Sequence, residues 1–209
     1  MLKYPDEYVV IDTETTGLDT ATAEVIELAA KRVSKTRNET RSWLIKIEKP
    51  LPAKIVEITG ITDELLQRDG IPEVDAWGDF FEFIRGFPLV GHNILRYDND
   101  FIVRYASKHA NHVGLPIFRD FPQDLPRNCI DTAAIYKAGK MMEPRLWDET
   151  PLQYQLRVLD ARVAGLKYNL RLACSELRIP TDGLTAHRAA GDGEMTDRVY
   201  RNLCLGEHP

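Results

Sequence analysis

The sequence predicts an α/β fold, and three observations support this class. Near the N-terminus, three β-like runs are separated by short polar stretches, as in an antiparallel strand meander. After residue 48, apolar residues recur at helical spacing, for example Val74, Trp77 and Phe81. Two short apolar runs, which end at Gly91 and Asp131, interrupt the helical part as further buried strands would. The three early runs are residues 8–11, 24–33 and 40–47.

Helix signals divide the rest of the chain. Thr62 is predicted to cap a short helix, and a longer amphipathic helix begins at Pro72. Pro144 breaks the helix that follows Asp131, and apolar periodicity returns from Pro151. We predict helices at residues 63–67, 72–84, 98–112, 133–140, 151–163, 169–177 and 188–205.

The bulk numbers are those of a globular protein. Of 209 residues, 44% are hydrophobic and 28% charged, and no apolar stretch is long enough to span a bilayer. Because the N-terminus has no signal-peptide core, we expect a cytoplasmic protein without membrane contact. A net charge of -5 argues weakly against a protein that coats nucleic acid, but it does not exclude an enzyme that admits one strand end at a metal site. Cys129, Cys174 and Cys204 are expected to be reduced core residues, not zinc ligands.

Asp12 and Glu14 follow the first strand-like run, one residue apart. In a strand, residues two apart point to the same face, with their Cα atoms roughly 6.6 Å apart. Two such carboxylates can serve one metal ion or span a pair of ions about 4 Å apart. Solvated acids at a strand end fit this pair equally well, so partners elsewhere in the chain decide between the two interpretations.

Three further residues are candidate partners. Asp98 lies in the first turn of a predicted helix, where a carboxylate is also favoured as a cap. Asp192 lines up with Met195 and Val199 on the apolar side of the last helix, and an inward carboxylate needs a partner. His187 precedes Asp192 by five residues, so the two can act together only if His187 lies on the loop that enters the helix.

Three blocks of sequence resemble the DEDDh, or DnaQ-like, 3′-to-5′ exonucleases, the superfamily of the proofreading epsilon subunit of bacterial replicative DNA polymerase. They occur in the family's order over nearly the whole chain, with supporting stretches at residues 58–62 and 130–132. The resemblance implies an α/β, ribonuclease-H-like fold, with a mixed five-stranded sheet flanked by helices. It also implies a single exonuclease domain over residues 1–209, to which we add a helical insertion at 141–165. The three blocks are residues 10–18, 90–102 and 187–192.

The resemblance also implies the site residues. Two departures from the family pattern are present. One residue more than usual separates Asn93 from Asp98, and Gly191 and Gly193 flank Asp192 where the family usually has better helix formers. Each glycine costs about 1 kcal/mol relative to alanine, so we expect a loosened helix start and a mobile His187. The family's four acids and its histidine fall on Asp12, Glu14, Asp98, Asp192 and His187.

Physical chemistry supports a metal site at these acids. Carboxylates 4 Å apart repel by about 4 kcal/mol at an effective dielectric constant of 20, and only Arg96 and Arg188 lie near the motifs in sequence. All-oxygen ligands suit Mg²⁺ or Mn²⁺ better than Zn²⁺. We therefore predict two divalent ions. Asp12 would bridge both, Glu14 and Asp192 would complete the site that holds the attacking water, and Asp98 would bind the second ion.

His187 is predicted to be the general base, because an ordinary histidine pKa near 6.5 suits proton removal from water. His92 is the rival base, but it belongs to the strand-end motif and is predicted to be structural. For the substrate, the resemblance places four residues of the first block near the 3′ end, and two others are weaker candidates. These six residues are Thr15, Thr16, Gly17, Leu18, Asn93 and Phe101.

The predicted activity is hydrolysis of terminal phosphodiester bonds in single-stranded DNA or frayed 3′ ends. One alternative is an exoribonuclease that trims RNA or degrades short oligoribonucleotides, although the first block favours the DNA-directed branch. Another is an inactive family fold that binds nucleic acid. The predicted partners are a polymerase or other replication and repair proteins. Because the chain ends soon after the last predicted helix, we expect a free-standing enzyme or one whose partner docks on the globular surface.

Overall fold

The computed structural model describes residues 4–109, 128–185 and 187–207. The predicted helix end at residues 110–112 lies outside this part of the chain. A mixed five-stranded sheet with the order β3-β2-β1-β4-β5 forms the centre of the protein, which confirms the predicted sheet. The strands are β1, Tyr8–Thr15; β2, Val25–Val33; β3, Asn38–Leu44; β4, Leu89–Gly91; and β5, Cys129–Asp131.

The direction of each strand follows from its connection. Strands β1, β2 and β3 form the predicted antiparallel meander, since short polar loops join them. Strand β4 runs parallel to β1, and β5 runs parallel to β4, because helices provide the crossover connections. Strand β1 is therefore central, and its carboxyl end lies beside the carboxyl end of β4.

The two faces of β1 contact different layers. Ile11 packs with Phe80 in the largest core cluster, on one face of the sheet. Val10 packs with Tyr200 of the last helix on the other face. Because side chains alternate along a strand, Asp12 points to the same face as Val10. The sequence pattern of β1 thus directs its acids toward the last helix.

Helices cover both faces of the sheet. Residue Thr62 caps a helix as predicted, since its side chain accepts a hydrogen bond from the backbone N–H of Leu65 at 3.2 Å. The α-helices in the described residues are α1, Ala53–Thr59; α2, Asp63–Asp69; α3, Glu73–Ile84; α4, Asp98–His109; α5, Thr132–Met141; α6, Pro151–Asp160; α7, Leu170–Glu176; and α8, Ala189–Tyr200.

Several helix ends differ from the prediction in the described residues, and two helices differ most. Helix α6 ends at Asp160, three residues earlier than predicted, because the backbone of Ala161 is extended. Helix α8 begins at Ala189, and a π-helical turn, Arg201–Leu205, follows it where we predicted a regular helix. Within the described residues, no helix combines the length and the apolar character that crossing a bilayer requires.

Residues 141–165, the predicted insertion, contain helix α6 and the loop before it. Arg157 holds this loop by ion pairs to Glu143 at 2.5 Å and to Glu149. Its guanidinium group is therefore used within the protein. That the segment is an insertion remains a prediction. The three cysteines are reduced, as expected, and Cys129 and Cys174 are buried.

Candidate active site

Three predicted carboxylates converge at the end of β1. Asp12 and Glu14 point from the strand toward helix α8, which carries Asp192 in its first turn. One carboxylate oxygen from each of the three residues lies within 4.8 Å of the others. A group of oxygen atoms at this spacing can surround a single cation. The alternation of side chains along β1 and the inward face of α8 together produce this group of carboxylates.

Asp98 lies beside this group but is held differently. It opens helix α4, is buried, and accepts a hydrogen bond from the Thr13 hydroxyl at 2.7 Å. The Asp98 charge raises the pKa of Asp12, which indicates that the two carboxylates are close. All four predicted acids are therefore in one region, with three of them gathered tightly and Asp98 next to them.

The turn that leads from β4 to Asp98 depends on a fifth carboxylate, that of Asp131. This fully buried residue ends β5 and caps helix α5. It also accepts hydrogen bonds from the backbone N–H groups of Asn93 at 2.9 Å and Leu95 at 3.1 Å. The link from β5 to the turn after β4 explains why residues 130–132 accompany the main motifs. Asp131 is thus committed to the fold.

The electrostatics of the three-carboxylate group are unfavourable without a counter-ion. Burial raises the pKa of Asp12 well above its usual range, and the charges of Asp98, Asp192 and Glu14 raise it further. Burial and the Asp192 charge raise the pKa of Glu14 to about 8. Burial also raises the pKa of Asp98, to about 7. Divalent cations would relieve this repulsion, so the donor set fits the predicted metal ions.

His187 lies just before helix α8, on the entering loop, as the sequence required. Its backbone N–H donates a hydrogen bond to Asp192 Oδ1 at 3.3 Å, and its φ angle is 57°. A non-glycine residue in this left-handed region is strained, and such strain clusters at functional sites. The structure thus brings the predicted base to the edge of the carboxylate group.

Gly191 has a reason that the sequence did not reveal. A Cβ atom at this position would lie 2.0 Å from the carbonyl oxygen of Thr185. Only glycine allows the loop before His187 to pack this closely on α8. This contact gives Gly191 a structural reason, and the loosened helix start remains a prediction. No contact of this kind accounts for Gly193, which has open space around it.

His92 has the surroundings of a structural residue. Its Nδ1 lies 2.9 Å from the Thr132 hydroxyl, and its Nε2 lies 3.0 Å from the Tyr168 carbonyl oxygen. A carbonyl oxygen only accepts, so Nε2 carries the proton. Burial lowers the pKa of His92 to about 4. With both ring nitrogens engaged, His92 joins β4 to helix α5 and to the chain before α7.

The predicted substrate residues divide into two groups. Leu18 is 89% exposed at the end of the first motif, where a nucleotide can reach it. Before it, the hydroxyls of Thr15 and Tyr97 lie 2.5 Å apart, and each is within hydrogen-bond distance of the Gly17 carbonyl oxygen, at 2.8 and 2.9 Å. The Thr16 hydroxyl accepts a bond from the Glu24 backbone N–H at 2.9 Å. These bonds fix the loop that presents Leu18.

The remaining two candidates are less exposed. Phe101 is fully buried and packs against the ring of Tyr97, so its side chain has no surface for a nucleotide. We correct its predicted role from direct contact to support of Tyr97. Asn93 has a φ angle of 69° and is partly exposed. With His92 and Lys167, it lines a cavity of about 340 Å³.

Glu27 is a further residue of the site that we did not predict. It lies on β2 directly opposite Glu14, is 1% exposed, and bonds to Arg188 and to the start of helix α8. The available signal was a single acid within the otherwise apolar run 25–30. A charge in a buried strand needs a partner, and here the partner is Arg188.

Comparisons with known proteins agree with this geometry. An epsilon subunit of DNA polymerase III from Aquifex aeolicus is 36% identical over 196 residues, which cover 92% of this chain and 78% of that protein. A PolC-type DNA polymerase III from Mycoplasma genitalium is 26% identical over 194 residues, which cover 92% of this chain and 11% of that protein. The chain thus spans only a small part of the PolC-type relatives.

Solved structures show the same fold. Exonuclease I of E. coli in complex with a dA16 oligonucleotide has a TM-score of 0.66 and 17% identity, and the match covers 97% of this chain and 42% of that chain. Exonuclease X in complex with 5′ overhanging duplex DNA has a TM-score of 0.59 and 18% identity, with 96% and 92% covered. The sheet and its helices are therefore the ribonuclease-H-like fold of exonucleases.

The fold class and the cluster of acids define a nuclease. Residues 9–200 match the exonuclease family (RNase_T), and the chain belongs to it. The similarity to the epsilon subunit of DNA polymerase III from Aquifex aeolicus confirms the resemblance to the DnaQ-like superfamily that the sequence predicted.

Proposed function

We propose that this exonuclease removes nucleotides from the 3′ ends of single-stranded or frayed DNA, with two divalent metal ions, Mg²⁺ or Mn²⁺. The observation that carries this proposal is the group formed by Asp12, Glu14 and Asp192, whose oxygen atoms lie within 4.8 Å of one another. Burial raises the pKa values of all three residues, and the charges of neighbouring carboxylates raise those of Asp12 and Glu14 further. Such a group favours cations of high charge density.

Each of the two ions would be held by a different set of these four acids, with Asp12 common to both sets. Asp12, Glu14 and Asp192 would hold one ion, and Asp12 and Asp98 would hold the other. When bound, two such ions stabilise the charge on the entering and leaving oxygens of an in-line displacement. Asp98 is less free to turn than Asp12 and Glu14, because the Thr13 hydroxyl holds one of its oxygens. We infer that its oxygens contact an ion through water.

His187 would take the proton from the attacking water. Its place on the loop before α8 supports this role, because the bond to Asp192 uses the backbone N–H and leaves the ring nitrogens free of that contact. His92 lacks this freedom, since both of its ring nitrogens are engaged. The strained backbone of His187 also favours an active-site function over a packing function.

DNA is the proposed substrate, because the similar proteins are DNA polymerase III subunits and exonucleases whose structures contain DNA. The 3′-terminal nucleotide would lie against the loop of Thr15, Thr16, Gly17 and Leu18, beside Asn93. An exposed leucine at the end of a rigid loop can contact a base of any sequence, as an exonuclease requires. Phe101 would support the ring of Tyr97 and would not contact the nucleotide itself.

We propose, further, that residues 1–209 act as one exonuclease domain that works with a DNA polymerase or other replication and repair proteins. The support is the similarity to polymerase subunits. Copurification with a polymerase through a tagged chain, and loss of that association when surface residues such as Trp147 are changed, would test this partner. Trp147 is an exposed aromatic residue within the loop that Arg157 holds.

The central experiment is digestion of end-labelled oligonucleotides. Single-stranded DNA, blunt duplex DNA, duplex DNA with a frayed 3′ end, and RNA of matched sequence are incubated with Mg²⁺, Mn²⁺ or EDTA. We expect release of mononucleotides from 3′-labelled single-stranded and frayed DNA, slower release from blunt duplex, and no release in EDTA. Preferential digestion of RNA would support the exoribonuclease alternative. Tight binding of DNA without cleavage in either metal would contradict the proposal and support an inactive binding module.

A further inference from the structure

Glu27 is a buried carboxylate with an unusual number of donors. Its side chain is 2% exposed, and its position on β2 is directly opposite Glu14. Its Oε1 accepts from the Ser42 hydroxyl at 2.9 Å and from Arg188 Nη2 at 2.8 Å. Its Oε2 accepts from Arg188 Nε at 3.1 Å and from the backbone N–H of Ala189 at 3.0 Å. Four donors thus engage both oxygens.

This saturation separates Glu27 from the neighbouring acids. Each oxygen of Glu27 already has two hydrogen-bond donors, and Arg188 supplies a full positive charge. A carboxylate in this state has no free oxygen lone pair to bind a metal ion without losing an existing partner. Glu14, its cross-strand neighbour, accepts no hydrogen bond from a side chain within the described residues of the site. Glu27 therefore acts on the protein and not on a cation.

Helix α8 depends on this carboxylate at its first turn. Arg188 occupies the N-cap position, where its own side chain makes no cap hydrogen bond. Glu27 replaces that cap, because it accepts from the backbone N–H of Ala189 and holds the Arg188 side chain at the same time. The strand β2 thereby fixes the backbone on which His187 and Asp192 lie, one residue before and four residues after Arg188.

We propose that Glu27 is a positioning residue, which holds the start of α8 so that His187 and Asp192 keep their orientation relative to Asp12 and Glu14. The inference rests on the proposed metal-dependent exonuclease activity. Partners of this kind, which orient ligands without touching the ion, typically change metal affinity or activity by about 10- to 100-fold when removed.

The test is the substitution Glu27→Gln, which keeps the size of the side chain. One of its two terminal atoms becomes an NH₂ group, which cannot accept from Arg188 or Ala189. We expect kcat to fall by about 10- to 100-fold with little change in KM for the oligonucleotide. Mn²⁺ affinity, measured by calorimetry without substrate, should fall in the same variant. Hydrogen exchange of the backbone amides at residues 188–192 should become faster.

Asp197→Asn is the matched control. Asp197 is also a buried carboxylate, 2% exposed, and it ties a later turn of α8 to the sheet through Lys31 and Tyr8. We expect this variant to lower the melting temperature as much as Glu27→Gln does. Its kcat, its Mn²⁺ affinity and the amide exchange at residues 188–192 should match the wild type. Equal loss of activity in the two variants would reduce Glu27 to a stabilising residue and overturn the proposal.

A second variant, Arg188→Ala, removes the charged partner and leaves Glu27 in place. If the two side chains act through one contact, the double variant should be no more than about twofold worse than Glu27→Gln alone. The proposal would be contradicted if the losses of kcat in the two single variants added fully in the double variant. It would also be contradicted if Glu27→Gln kept the kcat and the amide exchange of the wild type. A wild-type protein that neither binds Mn²⁺ nor digests DNA would instead refute the proposed function. The amide exchange would still decide whether Glu27 holds the helix start.

Discussion

The two ends of helix α8 carry acids in opposite electrostatic states, and Asp197 at one end is buried while Asp192 at the other is half-buried. At its last turns, Asp197 accepts hydrogen bonds from Tyr8 at 2.6 Å and from Lys31 at 2.5 Å, and it pairs with Arg201. Lys31 also pairs with Glu194 at 2.6 Å. At its first turn, Asp192 faces Asp12 and Glu14, and none of these three acids forms an ion pair with a lysine or arginine among the described residues. One helix therefore joins a neutralised cluster to an unneutralised one.

The difference shows what each cluster is for. Buried acids that serve the fold are matched by cations of the protein itself, because an unpaired buried charge is costly. The acids at the first turn form no such ion pairs among the described residues. Burial raises their pKa values, and the charges of neighbouring carboxylates raise those of Asp12 and Glu14 further. Arg188, whose charge lowers the pKa of Glu14, is bound to Glu27 instead. The protein thus keeps this place open for cations from solution.

Asp12→Ala should produce the largest effect. It removes the only acid that both proposed ions share, so we expect digestion of single-stranded DNA to fall by more than the about 10²- to 10⁴-fold that a general base contributes. The folded state should be retained, since one of four repelling acids is removed. Activity in Mg²⁺ and Mn²⁺, and the circular dichroism spectrum, check both points. Near-wild-type activity would refute the two-ion site.

Asp197→Asn tests the acid at the last turn of α8, the opposite end of the helix from Asp192. Because Lys31 would lose its buried partner, we expect the free energy of unfolding to fall by about 1 to 3 kcal/mol, with kcat unchanged. Urea unfolding and the same digestion assay measure the two quantities. A large loss of kcat in this variant, well below its melting temperature, would mean that the two ends of α8 are not separate in function.

His187→Ala should reduce kcat by about 10²- to 10⁴-fold and remove the acidic limb of the pH–rate profile, if His187 is the general base. His92→Ala should mainly lower stability, by about 1 to 3 kcal/mol, because the Tyr168 carbonyl oxygen and the Thr132 hydroxyl lose their partner. The pH–rate profiles of both variants distinguish the roles. The assignment fails if the His92 substitution alone removes the acidic limb.

The sequence was sufficient for the parts of the site that depend on local pattern. Strand alternation put Asp12 and Glu14 on one face, and helical periodicity turned Asp192 inward. It was insufficient where the partners are far apart in the chain. Glu27 and Arg188 are 161 residues apart, and no local pattern pairs them. The close packing of Gly191 on Thr185 is a tertiary contact that the residue type alone could not distinguish from a weak helix position.

The burial of Phe101 illustrates the same limit. The resemblance gave the ring a place near the substrate, but the packing of α4 against the core buries that ring fully. Helix ends were less predictable than helices for a related reason. Ala161 adopts an extended conformation where Lys137 of α5 donates to its carbonyl oxygen at 2.8 Å. A tertiary contact accompanies the end of α6 there, and it cannot be predicted from local propensity.

Tyr97→Phe tests whether neutral hydrogen bonds hold the loop that presents Leu18, as ion pairs hold the last turn of α8. The change removes the hydroxyl that contacts Thr15 and the Gly17 carbonyl oxygen. A loosened loop should bind the 3′ end less well, so we expect KM to rise by about 3- to 10-fold, with kcat changed less than twofold. Tyr154→Phe, which removes the hydroxyl bonded to the Glu143 carbonyl oxygen, is the control. A loss confined to kcat would contradict this role.

The smallest effect concerns stability and separates the two clusters by pH. Burial and the Asp192 charge raise the pKa of Glu14 from 4.5 to about 8 in the metal-free protein. Between these values the folded state keeps a proton that the unfolded state releases, so this residue makes the fold less stable as pH rises. Glu14→Gln removes that dependence. In EDTA, we expect the variant to exceed the wild type in free energy of unfolding, and the excess to grow between about pH 5 and pH 8, by on the order of 1 kcal/mol per pH unit at most.

Saturating Mg²⁺ should reverse the order at pH 8, because the wild type then gains the free energy of ion binding and the variant gains less. Urea unfolding at three pH values, with EDTA and with Mg²⁺, measures both changes. Asp197→Asn should show no such reversal, because Lys31, Tyr8 and Arg201 already surround that carboxylate. If Glu14→Gln and the wild type keep a constant difference at every pH in EDTA, the acids at the first turn of α8 are not held in mutual repulsion, and the contrast between the two clusters is lost.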